Sequence, residues 1–153
     1  MASDTSEVDF ETRRFIWGTD VKKPRLLHIA LRVREFEPAL RFYIDGLGMK
    51  LIDRINIGPS RVKIIFLGYG DYDSGGLLEL CCYSDDQSPH THGTGFDHIS
   101  IGVADVRATV AKLQALGAEI RVPPMNYLGK GPCLAYVKDP NGYPVELIQT
   151  VRD

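Results

Sequence analysis

The sequence lacks the features that mark membrane-spanning, secreted or nucleic-acid-binding chains. No apolar run approaches the ~20 residues that cross a bilayer as a helix. The amino-terminal segment carries acidic side chains where a signal peptide would have a basic and then an apolar stretch. The formal net charge of -2 gives no electrostatic reason to expect a nucleic acid or an anionic membrane as a partner. We therefore expect a cytoplasmic protein that binds neither.

Cysteine is also scarce, with three residues in a chain of 153. Their number is odd, and they lack the spaced pairs of a structural zinc site: Cys81, Cys82 and Cys133. We therefore expect buried, reduced thiols and no disulfide framework. The remaining composition, 44% hydrophobic and 25% charged residues, is that of a globular protein.

Two segments of the chain resemble each other. Residues 26–54 and 96–123 each start with alternating apolar residues around a histidine, which is typical of a half-buried strand. Apolar residues at three- and four-residue spacing follow, which is typical of a helix. Gly48 and Gly117 then stand where a left-handed residue would end each helix. Further β-prone stretches come later, so each half is interpreted as one strand, one helix and three strands.

This pattern predicts an α+β fold of two βαβββ modules that form a cupped mixed sheet. A unit of this size leaves one sheet face uncovered, and two units are expected to bury those faces together. We expect the modules at residues 25–84 and 95–153, with a polar, turn-rich linker at 85–94. Residues 1–24 form an additional amino-terminal arm.

Four residues with metal-binding side chains occupy equivalent places in the two halves. The offset between His28 and His98 nearly equals the offset between Glu79 and Glu146. A single strand histidine is more often structural, and a single strand glutamate usually faces solvent. Two of each, related by a repeat, favour a metal site, because imidazole and carboxylate together suit zinc, nickel, cobalt, iron or manganese. We predict that these four residues bind one divalent metal ion.

The segments that carry these residues resemble the glyoxalase I group of the vicinal oxygen chelate superfamily. They are HIALRV with FYIDGLGMKL, LGYG with LLELCCY, GTGFDHISIGV, and YVKDPNGYPVELIQ. Together they cover nearly all of residues 26–150, and four ordered segments are more specific than one short motif. The resemblance implies paired βαβββ modules around a metal held by His28, Glu79, His98 and Glu146.

The resemblance also implies an activity like that of lactoylglutathione lyase. Such an enzyme moves a proton between two carbons of a hemithioacetal, formed from glutathione and a 2-oxoaldehyde such as methylglyoxal. Glu146 is the expected base that transfers this proton, and Glu79 can serve the opposite face of the substrate. The metal stabilises the enediolate that forms when the proton leaves. Nickel, cobalt or zinc is favoured, with iron and manganese as alternatives. Short bacterial members of the group form homodimers whose sites draw ligands from both subunits, so a homodimer with shared sites is implied.

Three residues are candidates for substrate binding. Arg32 matches an arginine that helps to bind glutathione in the family, and its guanidinium suits a carboxylate. Tyr83 stands where the family usually has an asparagine that holds glutathione. Lys130 belongs to the loop before the penultimate strand, which is basic in the family.

Two other functions remain open on the same scaffold. One is an epimerase or an extradiol-type dioxygenase with a substrate other than a glutathione adduct. Methylmalonyl-CoA epimerase has Gln in place of the first Glu, and extradiol dioxygenases use two His and one Glu, so Glu79 favours the glyoxalase branch. The other is a non-catalytic binding protein, but such members commonly lack the metal ligands.

Overall fold

A computed structural model of the chain describes residues 19, 22–58, 61–73, 76–86 and 89–151. Most of the predicted amino-terminal arm lies outside these residues. The elements, in chain order, are β1 (His28–Arg32), α1 (Phe36–Leu40), a π-helix (Arg41–Gly46), β2 (Lys50–Ile57), β3 (Val62–Gly68), β4 (Leu77–Tyr83), β5 (Ile99–Val103), α2 (Val106–Ala115), β6 (Glu119–Asn126), a 3₁₀ helix (Tyr127–Gly129), β7 (Cys133–Lys138) and β8 (Pro144–Gln149). The predicted order of one strand, one helix and three strands, repeated once, is confirmed.

The strands form two four-stranded sheets with the same topology. Their orders are β1-β4-β3-β2 and β5-β8-β7-β6. In each sheet the first and last strands of the module pair in parallel, and the other pairs are antiparallel. A parallel pair needs a long crossover, which the intervening helix and strands provide. The identical strand order confirms the internal repeat.

By its internal contacts the chain divides into two compact units. The first holds the described residues up to Phe36 together with Gly48–Pro89, and the second holds Glu37–Leu47 and the residues from His90 onward. The helical segment after β1 therefore packs within the second unit. There Gly46 approaches α2 so closely that a side chain at this position would collide with Leu113.

The helices end as the glycine positions predict. The first begins as α1, continues as the π-helix and stops before Gly48, which has a φ of +74°. Gly117, which follows α2, has a φ of +90°. These left-handed conformations cost glycine little, which confirms both predicted helix ends. At the other end of α2, the Asp105 carboxylate accepts a hydrogen bond from the Ala108 N–H at 2.9 Å, a typical N-cap.

Each unit has its own apolar core. In the first unit, β2, β3 and β4 contribute a buried cluster that lies on one sheet face: Ile55, Val62, Ile64, Phe66, Leu77 and Cys81. In the second unit, α2 packs on β6, β7 and β8 and buries Val106, Val110 and Leu113. Full burial of an aliphatic or aromatic side chain of this kind contributes about 1.5–3 kcal/mol to the free energy of unfolding.

The cysteines agree only in part with the expectation of buried thiols. All three cysteines are free thiols, with Cys81 and Cys133 buried and Cys82 partly exposed. Within the described ranges, every helix is too short or too polar to span a membrane.

Candidate metal site

The first predicted pair, His28 and Glu79, is in direct contact. His28 opens β1 and Glu79 lies in the middle of the parallel neighbour β4, where Ala30 is its register partner. The Nε2 atom of His28 lies 2.6 Å from Oε2 of Glu79. Glu79 is only 8% exposed, and a buried carboxylate needs a cation or hydrogen-bond donors to offset its desolvation.

The surroundings of Glu79 are largely apolar. Phe66 is its register partner on β3, and the ring of Phe66 meets His28 edge-on at 5.5 Å between centroids. The second carboxylate oxygen, Oε1, accepts a weak hydrogen bond from the Cys81 thiol at 3.2 Å. Burial, together with the hydrogen bond to Glu79, raises the pKa of Cys81 to about 12. Cys81 is therefore a neutral thiol donor at neutral pH.

The second predicted pair, His98 and Glu146, is also in contact. His98 directly precedes β5, and its Nε2 lies 3.2 Å from Oε2 of Glu146 on β8. Its other ring nitrogen, Nδ1, contacts the carboxylate of Asp97. A hydrogen bond from Nδ1–H to a carboxylate fixes the ring orientation and leaves Nε2 as the ligand atom, an arrangement common around metal-binding histidines.

A phenol holds the second oxygen of Glu146. Tyr136 lies opposite Glu146 in the β7–β8 register, and its hydroxyl donates to Oε1 at 2.6 Å. This hydrogen bond is the largest cause that raises the pKa of Tyr136 to about 12. The ring of Tyr136 also meets His98 edge-on, with 5.4 Å between centroids.

The two pairs have the same strand register. Glu79 pairs with Ala30, two residues after His28, and Glu146 pairs with Ser100, two residues after His98. The repeat seen in the sequence therefore extends to the geometry of each pair. In both, an imidazole nitrogen and a carboxylate oxygen lie close enough to share a hydrogen bond or one cation.

The donor atoms of each pair fit a divalent metal ion. Two imidazole nitrogens and two carboxylates match the ligand preferences of zinc and its first-row neighbours. A positive partner would also offset the desolvation of the buried Glu79 carboxylate. Among the residues that the structure describes, no group of three or more His, Cys, Asp or Glu side chains could hold a metal ion. Each pair alone offers one imidazole and one carboxylate.

Two of the three predicted substrate-binding residues lie together in the first unit. Arg32 ends β1 on the same sheet face as His28, and its guanidinium lies over the ring of Tyr83, 4.4 Å from the centroid. The guanidinium also lies 3.6 Å from the carboxylate of Asp86. Arg32 is mostly exposed at 59% of its side chain, so its planar face rests on Tyr83 while other edges remain accessible.

Lys130, the third predicted residue, lies in the second unit. It follows the 3₁₀ helix and lines an open groove of about 1170 Å³ together with Arg107, Asn126 and Ile148. Ile148 follows Glu146 by two residues and therefore lies on the same face of β8. Lys130 and Arg107 give this groove two cationic side chains beside the carboxylate of Asp105.

Sequence reasoning missed three residues that contact the predicted ligands. Tyr136 could have been found, because the tight turn at Asp139–Gly142 fixes the β7–β8 hairpin register and so pairs Tyr136 with Glu146. Asp97 precedes His98 in sequence, which was a further signal. Cys81 was interpreted only as a buried thiol, because nothing in its sequence context indicates a polar partner.

The fold and the two pairs together define the class of protein. Two βαβββ modules of identical topology, each with a His–Glu pair at the same register, form a duplicated scaffold. A family model described as the Glyoxalase/Bleomycin resistance protein/Dioxygenase superfamily matches residues 25–147. The chain belongs to this superfamily.

Several relatives have similar lengths. The chain is 36% identical over 125 residues to a probable lactoylglutathione lyase of Vibrio parahaemolyticus. The aligned region covers 82% of this chain and 90% of the relative. It is 34% identical to the lactoylglutathione lyase of Haemophilus influenzae, and the aligned region covers 82% of this chain and 92% of that relative.

Solved structures agree in fold. Glyoxalase I of Zea mays matches with a TM-score of 0.78 and 30% identity over 84% of this chain, which spans 45% of the maize chain. The trypanothione-dependent glyoxalase I of Leishmania major matches with a TM-score of 0.70 and 33% identity, covering 83% and 87% of the two chains. The predicted resemblance and fold are confirmed.

Proposed function

We propose that this chain is a metal-dependent lyase of the glyoxalase I type. Its substrate would be the hemithioacetal of a 2-oxoaldehyde, such as methylglyoxal, and a thiol, with glutathione as the first choice. The observation that carries the proposal is the pair of equivalent His–Glu contacts, one in each module. The names of the relatives in Vibrio and Haemophilus support the same reaction.

We propose His28, Glu79, His98 and Glu146 as the ligands of one divalent ion. When bound, the ion would supply positive charge that stabilises an enediolate. Nickel, cobalt and zinc are the first metals to test, followed by iron and manganese. Because each module holds two ligands, the proposal includes a homodimer whose sites take ligands from both subunits.

The chain's own residues would move the proton. Glu146 is the proposed base that removes the proton from C1 of the hemithioacetal and returns it to C2, and Glu79 would serve the opposite face. The product is the isomeric thioester of a hydroxy acid, so no further reactant is needed. The apolar wall around Glu79, formed by Ile64, Phe66 and Leu77, suits the aldehyde side chain.

Two cationic residues are proposed to bind the anionic ends of the thiol. Arg32, supported by the ring of Tyr83, can offer N–H donors to a carboxylate. Lys130 can offer a further positive charge at the groove of the second unit. Asp86, close to Arg32, would compete with an anionic substrate and so limit its affinity.

The test is formation of lactoylglutathione by the metal-loaded protein. Purified protein is freed of metal, reloaded separately with nickel, cobalt, zinc, iron(II) or manganese, and assayed with methylglyoxal and glutathione. We expect turnover with at least one metal and none after chelation. A larger dithiol such as trypanothione, used in parallel, tests the choice of thiol. Absence of turnover with every metal and thiol would reject the proposal.

An epimerase or an extradiol-type dioxygenase is the alternative on the same ligands. Exchange of solvent deuterium into an acyl-CoA would indicate the epimerase. Oxygen uptake with iron(II) and a catechol would indicate the dioxygenase.

A further inference from the structure

The carboxylate of Glu146 has a different partner on each oxygen. Its Oε2 lies 3.2 Å from Nε2 of His98, and its Oε1 accepts the hydroxyl of Tyr136 at 2.6 Å. The ring of Tyr136 stands nearly perpendicular to the His98 ring, at 87°. Tyr136 therefore contacts both members of the second pair, although it carries neither a ligand nitrogen nor a carboxylate.

The equivalent position in the first unit separates the role of the ring from the role of the hydroxyl. Phe66 faces Glu79 across β3–β4 as Tyr136 faces Glu146 across β7–β8. Phe66 also meets its histidine edge-on, at 67°. An aromatic ring is thus common to both pairs, and the ring alone suffices to pack beside the histidine. The hydroxyl is the added feature of the second unit.

We infer that Tyr136 is a positioning residue that fixes the Glu146 carboxylate for metal binding. With Oε1 held by the phenol, the carboxylate cannot rotate freely, and Oε2 stays directed toward the same space as Nε2 of His98. Oε1 has two lone pairs and the phenol uses one, so the other can still accept a substrate proton. This inference rests on the proposed ligand set.

The expected consequence is a loss of metal affinity when the hydroxyl is removed. Partners that orient metal ligands typically contribute about 10- to 100-fold to affinity or activity. We expect Tyr136→Phe to weaken cobalt and zinc binding by about this factor. The fold should persist, because the first unit tolerates phenylalanine at the same register.

The experiment measures cobalt and zinc affinity of the full chain by competition with a chromogenic chelator, and records the visible spectrum of the cobalt form. The matched control is Tyr43→Phe, which removes another phenol–carboxylate hydrogen bond of the same unit, from Tyr43 to Asp139 at 2.9 Å. The control should keep the affinity and the cobalt spectrum of the unmodified chain. Tyr136→Phe should change both.

A second comparison separates positioning from general support of the fold. In a Glu146→Gln background, Tyr136→Phe should change the residual affinity little, since both substitutions act through one carboxylate. Unmodified affinity and spectrum in Tyr136→Phe, or fully additive losses in the double variant, would overturn the inference. If the unmodified chain bound none of these metals, the proposed ligand set itself would fail, and the two failures are therefore distinguishable.

Discussion

The His28–Glu79 pair and the His98–Glu146 pair share a strand register and differ in what surrounds the carboxylate. Glu79 lies in an apolar wall and has a thiol on its second oxygen. Glu146 has a phenol on the corresponding oxygen, and its histidine contacts Asp97. The contact between histidine and glutamate is thus duplicated, whereas the residues around it are not.

On the proposed ligand set, this difference predicts that the two His–Glu pairs contribute unequally to metal binding and catalysis. A thiol is a weak donor and a phenol a stronger one, so the Oε1 atom of Glu146 is held more firmly than the Oε1 atom of Glu79. The Asp97 contact orients the imidazole of His98, and the described partners of His28 include no such neighbouring carboxylate besides Glu79. We therefore expect substitutions in the second unit to disturb the site more than matched substitutions in the first.

The largest expected difference concerns the two glutamates. Glu146→Gln should lower kcat by about 10²- to 10⁴-fold, the range for loss of a general base. Glu79→Gln should have a smaller effect on kcat with methylglyoxal and glutathione, once metal content is matched. Steady-state kinetics with measured metal occupancy checks this ranking. The reverse ranking would assign the base role to Glu79.

Mixing these two variants tests the shared site. If each site takes ligands from two subunits, a heterodimer of Glu79→Gln and Glu146→Gln chains contains one intact ligand set. Under conditions in which both variants alone are nearly inactive, an equal mixture, after subunit exchange, should then recover about a quarter of the unmodified activity. No recovery in a confirmed heterodimer would contradict sharing.

A further prediction compares Tyr136 with Tyr43, another phenol of the second unit that donates to a carboxylate. Tyr43 is fully buried and Asp139 is 4% exposed. Tyr43→Phe would leave a buried carboxylate oxygen without its donor. The free energy of unfolding should fall by about 1–3 kcal/mol, with unchanged metal affinity, as measured by urea unfolding and chelator competition.

The pH dependence of this loss has a defined sign. Burial raises the pKa of Asp139 above its usual 3.8, while the hydrogen bond from Tyr43 lowers it. Removing Tyr43's hydroxyl therefore raises this pKa further. A raised carboxyl pKa gives stability that is present below the unfolded value and lost as pH rises through the folded value. The penalty of Tyr43→Phe should consequently grow from pH 4 toward neutrality, and a penalty that shrinks would contradict this assignment.

The sequence was sufficient to predict the strand order and to single out the two histidines and two glutamates that the structure brings together in pairs, because both follow from local patterns repeated along the chain. Alternation predicts β1 and helical spacing predicts α2, and the offsets match His28 with His98 and Glu79 with Glu146. The π-helix at Arg41–Gly46, whose Gly46 packs closely against Leu113, was not predictable in this way. Tertiary contacts of this kind leave no periodic signal.

Sequence reasoning could have found the contact of Tyr136 with Glu146, but not the contact of Cys81 with Glu79. The tight turn between β7 and β8 fixes which residue faces Glu146. The longer connection between β3 and β4 leaves the partner of Glu79 undetermined by counting. The contact between Cys81 and Glu79 joins residues two apart on one strand, and it depends on rotamers that the sequence pattern does not specify.

The smallest expected effect lies at Cys81. Because its thiol is a weak donor, Cys81→Ala should weaken metal binding by only about two- to threefold, near the lower end for a hydrogen bond. Phe66→Tyr should introduce into the first unit the hydroxyl that Tyr136 provides in the second, and should offset the loss in a Cys81→Ala background. Chelator competition on the single and double variants measures both effects. A loss in Cys81→Ala as large as that in Tyr136→Phe would mean that thiol and phenol hold their carboxylates equally, and the two His–Glu pairs would then differ in composition without differing in strength.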